Sequence, residues 1–326
     1  ELASDLERAN LLSNILTRTR RRDVQDRRVV REVVDRKVIQ NETECNLYQC
    51  VTEIISSYAL VKDINQGFLL AMPQRMLTSS MPSTVRYWQQ RTSSNNNSDE
   101  FDHLDIDDDS LDDNDEAMPI TRLIGQGTEN FDVSLLEKND SKYESLLEII
   151  NEYIQLNEKV ILFAAFKSTL EYLRRRLEEN DFKCFVIHGG INDRDVILKS
   201  FEDTDEASIL LSSEVGSEGL DLQFCRVLLN YDLPWNPTRI EQRVGRIDRF
   251  GQEAPKITII NFMYEDTIDQ RIYERLGVRQ NLIENTLGEF EAILGQEINK
   301  LTRELFSGRR TLEEENQLID QTALAL

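Results

Sequence analysis

The chain has 326 residues, with 60 Asp and Glu against 38 Lys and Arg and a formal net charge of −22. It contains no apolar run long enough for a transmembrane helix, and its first five residues lack the basic and apolar character of a signal peptide. The 4 cysteines and 2 histidines are scattered without a Cys-x-x-Cys pair, so we expect no metal site and a reducing, cytoplasmic location. Because the chain begins without Met, we expect a fragment of a longer protein.

One strand and two helical stretches are predicted before residue 90. The β-branched residues over 29–39 predict the strand. Asn41 or Thr43 is expected to cap a helix whose apolar residues over 47–58 follow helical spacing. A second, less regular helical stretch is predicted over roughly 68–88.

Charge is distributed unevenly along the chain. Residues 8–37 contain 10 Lys and Arg against 4 Asp and Glu. Residues 99–116 contain 11 acidic side chains and no Lys or Arg, so one short tract carries half of the net charge. Since it lacks apolar periodicity and repels itself, we predict an acidic disordered insert over 91–118. It is either a passive connecting loop or an electrostatic gate that mimics a polyanion.

Apolar strands alternate with amphipathic helices after residue 142. The strands are predicted at 160–165, 183–187, 208–212, 226–231 and 257–262, and the helices at 142–156, 168–180, 193–202 and 238–246. Short apolar strands separated by helices are typical of a parallel sheet that is covered on both faces. We therefore predict the α/β fold class, with a doubly wound parallel sheet in a domain over 119–266 and a helical extension over 267–326.

The most informative tract, residues 242–252, lies on and just after the last of these helices. Arg246 and Arg249 are three residues apart, so both guanidinium groups reach the same side of a helix. Two arginines beside a glycine suit a polyphosphate whose charge grows in a transition state. The alternative is that they pair with surface carboxylates such as Glu241 and Asp248.

Three further tracts follow predicted strands, where ligands collect in doubly wound sheets. Residues 212–222 offer glycines, hydroxyls and acidic groups. At 188–190, His-Gly-Gly, backbone N–H groups could hold an anion, although a plain glycine turn is the simpler interpretation. At 232–237 two prolines fix a rigid connection, and Trp235 is either a hydrophobic plug or a stacking surface.

Together these tracts resemble the second motor lobe of superfamily 2 helicases, and most closely the bacterial Swi/Snf-like DNA translocases. The arginine tract is similar to helicase motif VI (Gln-x-x-Gly-Arg-x-x-Arg), the loop at 216–222 to motif V, and residues 162–173 to motif IV. The resemblance implies a RecA-like helicase C-terminal lobe. Residues 1–90 would then form an inter-lobe segment, with the end of the first lobe and a helical extension, whereas the acidic insert does not match the family.

The resemblance also implies a function for individual residues. Such a protein hydrolyses ATP between two RecA-like lobes and moves along double-stranded DNA, and Arg246 and Arg249 would be catalytic arginine fingers. Four residues would line the nucleotide cleft: Gln242, Gly219, Asp221 and Gly245. Four others would face the DNA backbone: Ser168, Gly190, Arg194 and Ser213.

ATP chemistry of this kind also needs a Gly-Lys-Thr/Ser phosphate loop and an acidic Mg²⁺-binding motif. No Gly-Lys dipeptide occurs in the chain. We therefore expect ATP and Mg²⁺ to be bound mainly by a first lobe in cis that this chain lacks, and the chain alone to be inactive. The implied partner is double-stranded DNA, with no membrane and no protein partner identified. Two alternatives stay open: the motor lobe of a strand-separating helicase or of an anti-phage or restriction system, and a non-catalytic RecA-like binding scaffold.

Overall fold

The computed structural model describes residues 29–62, 66–93, 117–217, 219–234, 237–249, 251–267, 269–270 and 273–274. Its strands are β1 (Val30–Val38), β2 (Val160–Phe163), β3 (Cys184–Ile187), β4 (Ile209–Ser212), β5 (Val227–Asn230) and β6 (Lys256–Tyr264). Its first helices are α1 (Glu42–Lys62), α2 (Gln66–Ser79), α3 (Met81–Ser93), α4 (Ala117–Gly127) and α5 (Val133–Lys138). They are followed by α6 (Ser141–Gln155), α7 (Lys167–Glu178), α8 (Arg194–Asp203), α9 (Glu214–Ser217) and α10 (Pro237–Ile247).

The strands form one parallel sheet in the order β1-β6-β5-β2-β4-β3. Side chains alternate between two apolar cores, as the pleat requires: Leu162 of β2 faces one core and Ile161 and Phe163 face the other. Helices α1 to α7 contribute to the first core, and α8 and α10 to the second. The predicted doubly wound α/β fold is confirmed.

The predicted strands and helices between residues 142 and 262 all occur, with ends that differ by a few residues. The stretch predicted over 68–88 consists of two helices. The helical conformation is interrupted at Ser80, and Pro82 lies in the first turn of α3. Helices α4, α5 and α9 were not predicted. None of the helices within the described ranges is long and apolar enough to cross a membrane.

Strand β1 corrects the predicted domain boundary. The sequence analysis placed residues 29–39 outside the RecA-like lobe, in the segment 1–90. In the structure β1 pairs with β6 along its whole length, from Val30 opposite Lys256 to Val38 opposite Tyr264. The lobe's own sheet therefore includes β1, a pairing over more than 200 residues that no local pattern reveals. Most of the acidic insert, at 94–116, lies outside the described residues, as does the helical extension beyond 274.

The segment after β1 is fastened to the lobe by Glu44. Asn41 caps α1 by accepting a hydrogen bond from Glu44 N at 3.0 Å, and Asn41 N donates to Glu44 Oε2 at 2.8 Å. The same carboxylate accepts a bond from Ser141 N at 3.1 Å, at the start of α6, and another from the Tyr264 hydroxyl at 3.1 Å. Burial raises the pKa of Glu44 above its ordinary value, against the lowering effect of its hydrogen bond from Ser141. One side chain thus joins α1, α6 and β6.

Lys142 is a buried cation in the first core. Its Nζ donates to Thr78 O at 2.5 Å and lies 4.4 Å from the centre of the Tyr231 ring. Burial lowers the pKa of Lys142 from 10.5 to about 8. Four nearby carboxyl groups raise this pKa and so partly offset the effect of burial: Asp232, Asp269, Asp140 and Glu44. The N-terminal helices are therefore joined to the sheet through a polar cluster as well as through apolar packing.

Candidate functional site

The predicted site residues follow β2, β3, β4 and β5, whose carboxyl ends share one edge of the sheet because the strands are parallel. The chain leaves β4 directly into Ser213 and α9, and it leaves β5 into Asp232 and then α10. Helix α10 covers the second core with Val244 and Ile247. This edge is the candidate functional site.

Helix α9 packs tightly against the end of β3. Ser213 N donates to Ile187 O at 3.0 Å, and the Ser213 hydroxyl accepts from Gly216 N at 3.0 Å. A Cβ atom at Gly216 would lie 2.5 Å from Ile187 O and 2.7 Å from His188 Cα. Only glycine fits there, so this residue sets how closely α9 approaches the sheet.

Arg243 fixes the buried side of α10 to the sheet. The residue is 2% exposed, and its Nη1 donates to Asn230 Oδ1 and to Asp232 O, each at 3.0 Å. Its Nη2 lies 3.7 Å from Glu214 Oε2 and 3.8 Å from Asp232 Oδ1, and the guanidinium carbon is 5.2 Å from the centre of the Phe163 ring. One side chain therefore bridges the segments that follow β4 and β5.

The end of α10 is joined to the loop that follows α9. Leu222 N donates to Arg246 O at 3.1 Å, and Gln252 Nε2 donates to Ile247 O at 2.9 Å and to Cys225 O at 3.0 Å. Gly219 in this loop has φ +79°, a conformation that favours glycine. The structure thus brings two tracts predicted from separate motifs into direct contact.

The predicted catalytic and cleft residues occupy this junction. Arg246 is half-buried, and Arg249 Nε donates to Gly245 O at 3.0 Å. A Cβ atom at Gly245 would meet no atom within 4 Å, so the helix has open space beside the two arginines. Gln242, Gly219 and Asp221 are all exposed. The surface beside Gly245 is therefore open.

Arg31 of β1 holds the outer side of α10. Its Nε donates to Asp248 Oδ2 at 2.6 Å and its Nη1 to Glu241 Oε2 at 2.9 Å. Burial disfavours the charged form of Arg31 and so lowers its pKa, but Glu241 and Asp248 together raise the pKa above its ordinary value. The two carboxylates that the sequence analysis considered as partners for Arg246 and Arg249 are thus both ion-paired to Arg31.

The residues predicted to face DNA are placed unequally. Gly190 is exposed and Ser168 half-buried, each just after a strand end. Arg194 is the first residue of α8, and its Nη1 donates to Val215 O at 3.1 Å. Ser213 is fully buried, and its hydroxyl caps α9, so this prediction is corrected: Ser213 presents no surface to a nucleic acid.

The turn at 188–190 forms its own hydrogen bonds. Gly190 N donates to His188 Nδ1 at 3.2 Å and Ile191 N to His188 O at 3.0 Å. The Gly190 amide, one of those considered for holding an anion, is thus engaged locally, as is the amide of the next residue, Ile191, and this favours the plain glycine turn. Trp235 lies outside the described residues.

Residues 141–251 match the family of the helicase conserved C-terminal domain. These residues, which make up less than half of the chain, are therefore similar to that domain. YqhH of Bacillus subtilis, an uncharacterized ATP-dependent helicase, is 35% identical over 150 residues, which cover 45% of this chain and 26% of YqhH. The RNA polymerase-associated protein RapA of Vibrio campbellii is 38% identical over 118 residues, which cover 35% of this chain and 12% of RapA. The chain therefore spans about a quarter or less of each of these relatives.

The fold of the helicase C-terminal domain also occurs in solved structures. The SWI2/SNF2 ATPase core of Sulfolobus solfataricus, in complex with double-stranded DNA, matches with a TM-score of 0.54 at 16% sequence identity. The match covers 89% of this chain and 50% of that chain. These findings confirm the predicted RecA-like fold and the resemblance to the C-terminal lobe of Swi/Snf-like helicases.

Two residues that organise this site, Arg243 and Arg31, were not identified from the sequence. Arg243 lies three residues after Ile240 and four before Ile247, on the apolar stripe of α10, and this spacing was the available signal for a buried arginine. Arg31 gave no such signal, because its partners lie more than 200 residues away. Within the described residues no group of three or more His, Cys, Asp or Glu side chains could hold a metal ion.

Proposed function

We propose that this chain is the second motor lobe of a Swi/Snf-like, ATP-dependent translocase of double-stranded DNA. Arg246 and Arg249 act as arginine fingers toward ATP, which is held with Mg²⁺ mainly by a first lobe in cis. Gln242, Gly219, Asp221 and Gly245 line the cleft. The protein works in the cytoplasm, and the chain without its first lobe does not hydrolyse ATP.

The observation that carries this proposal is the junction between α10 and the loop after α9. Leu222 N donates a hydrogen bond to Arg246 O, so α10, here called the arginine helix, and the loop after α9 are fixed relative to each other. Gly245 leaves the neighbouring surface open. Phosphoryl transfer is catalysed mainly by positioning and by stabilisation of charge, which two fixed guanidinium groups supply. The name of YqhH, an ATP-dependent helicase, supports the use of ATP.

DNA is proposed to lie along the carboxyl edge of the sheet, toward α7 and α8. Gly190 is exposed, Ser168 is partly so, and Arg194 adds a positive charge at the start of α8. A helix N-terminus and an arginine both favour backbone phosphates. The solved SWI2/SNF2 core with bound double-stranded DNA supports duplex DNA as the partner.

The test is Arg246→Ala in the full-length protein, assayed for DNA-stimulated ATP hydrolysis and for DNA binding. Loss of one arginine finger is expected to lower kcat by at least about 100-fold, because the developing charge loses its partner. DNA affinity should stay unchanged, since the proposal assigns Arg246 to the nucleotide cleft and assigns DNA binding to other residues.

Arg226→Ala is the matched control. Arg226 is an exposed arginine that immediately precedes β5, at the opposite edge of the sheet, where it pairs with Glu158. This variant should retain the wild-type rate. Hydrolysis by Arg246→Ala within about two-fold of the wild type would show that Arg246 is structural and would overturn the proposal.

A further inference from the structure

Arg31 makes the ion pairs that join β1 to helix α10, the arginine helix. Its guanidinium group binds Asp248 through Nε at 2.6 Å and Glu241 through Nη1 at 2.9 Å. The Arg31 side chain is 26% exposed and that of Asp248 only 7%, so water screens these pairs incompletely. Glu241 and Asp248 are seven residues apart, about two helical turns, and Arg246 lies between them.

The register of β1 explains why Arg31 reaches this helix. Arg31 lies opposite Ile257 of β6, whose side chain belongs to the second core, which α10 covers. Arg36, five residues later, lies opposite Phe262 of the first core. Its Nε therefore bonds Ser145 of α6 at 2.7 Å instead. Two arginines of one strand thus hold helices on opposite faces of the sheet.

We propose that Arg31 is a positioning residue for the arginine helix. This inference rests on the proposed function of Arg246 and Arg249. By binding one carboxylate before and one after Arg246, Arg31 fixes the rotation of α10 about its axis and holds the helix end against the sheet. Arg243 and Leu222 hold the inner side and the end of the same helix.

The inference also assigns a role to β1. Arg31 belongs to the first described strand, and β1 is the strand by which the chain enters this sheet. Through Arg31, β1 is connected to the helix that carries Arg246.

The test compares Arg31→Ala with Arg36→Ala in the full-length protein, which removes an arginine from the same strand but from the opposite face. We expect Arg31→Ala to lower the kcat of DNA-stimulated ATP hydrolysis by about 10-fold or more, because small displacements of catalytic groups have large effects on rate. KM for ATP and DNA affinity should stay unchanged. Arg36→Ala should retain the wild-type kcat.

Two further variants separate positioning from loss of folding. Arg31→Lys keeps the charge and should recover part of kcat. The double variant Arg31→Ala with Glu241→Gln should be no slower than Arg31→Ala alone, since both substitutions break the same contact. Thermal unfolding should show that every variant, like Arg36→Ala, is folded at the assay temperature.

Three results would overturn the inference: equal kcat for Arg31→Ala and Arg36→Ala, a loss expressed in KM alone, or additive effects of Arg31→Ala and Glu241→Gln. Arg246→Ala is measured in parallel. If Arg246→Ala retains hydrolysis, the proposed function fails and the inference fails with it. If Arg246→Ala is inactive while Arg31→Ala is not impaired, only the inference fails.

Discussion

Arg243 allows the sharpest test of how the arginine helix is held. Replacing it by Met keeps a long apolar stem under α10 but removes the charge and the two hydrogen bonds from Nη1. Asn230 Oδ1 and Asp232 O then lose a donor in a site where both residues are buried. The Asp232 carboxylate keeps its bonds from Ser79 Oγ at 2.7 Å and Ala165 N at 2.8 Å and its electrostatic interaction with Lys142, but it loses the charge of Arg243, 3.8 Å away.

The size of the effect follows from burial. Removing one partner of a buried charge pair costs about 3–5 kcal/mol, because the remaining charge is left uncompensated. Two buried acceptors left without a donor give a similar figure, at about 1–3 kcal/mol each. Both estimates describe the same loss and are not added. We therefore expect Arg243→Met to lower the free energy of unfolding by about 3–5 kcal/mol.

Urea unfolding of the 326-residue chain, followed by circular dichroism, measures this loss. With a slope of about 3 kcal/mol per molar urea, the midpoint should fall by about 1 M or more. Arg226→Met is the control, because the side chain of Arg226 is 49% exposed and its pair with Glu158 should contribute less than about 1 kcal/mol. Arg243→Lys keeps the charge without the planar fork and should fall between wild type and Met.

The reasoning is refuted if Arg243→Met and Arg226→Met shift the midpoint equally. Apolar packing against Phe163 would then hold α10 without the charge, and the network around Asp232 would tolerate the loss of its cation. If Arg243→Met does not fold, Arg243→Lys can be compared with Arg226→Met instead, with a smaller expected shift of the urea midpoint.

Two further predictions concern the core and the approach of α9. Because burial lowers the pKa of Lys142 from 10.5 to about 8, the unfolded chain binds more protons than the folded chain between these values. The free energy of unfolding should therefore rise from about pH 8 toward pH 10, by at most about 3 kcal/mol, in wild type and in the exposed-site control Lys183→Met but not in Lys142→Met. Gly216→Ala should destabilise the chain by about 1–3 kcal/mol in urea unfolding, since the new methyl group would meet Ile187 O at 2.5 Å. The matched Gly245→Ala, whose methyl group meets nothing within 4 Å, should stabilise by up to about 1 kcal/mol, and equal effects of the two alanines would contradict this account.

The parts of the fold that the sequence predicted are those encoded by local patterns. The apolar runs of β2 to β6 and the amphipathic helices between them are contiguous signals, and the structure places these elements within a few residues of the predicted bounds. Strand β1 was recognised as β-rich but assigned to the wrong unit, because its partner β6 is distant in the sequence. Helix α4 follows an acidic tract whose charge dominated the local pattern.

In the candidate site, too, local patterns could be predicted from the sequence and long-range contacts could not. The glycines and arginines of the tracts at 212–222 and 242–252 could be identified from their spacing, because the chemistry they serve requires those residue types. What holds them could not, since Arg31, Asn230 and Leu222 lie in three separate segments and act through contacts that exist only in the folded chain. Ser213 was misplaced for the same reason: a hydroxyl after a strand suits a phosphate, but here it caps α9.

The arginine helix is held at three points that face different directions. Arg31 holds its outer side, Arg243 its inner side, and Leu222 its end. A helix fixed in this way cannot shift relative to the sheet without breaking buried contacts, so Arg246 moves only when the lobe moves as a whole. Under the proposed function, in which two lobes close around ATP, the position of Arg246 and Arg249 would then follow the closure of the lobes. Substitutions that loosen α10 should therefore lower hydrolysis while DNA binding persists, whereas substitutions at Gly190 or Arg194 should weaken DNA binding first.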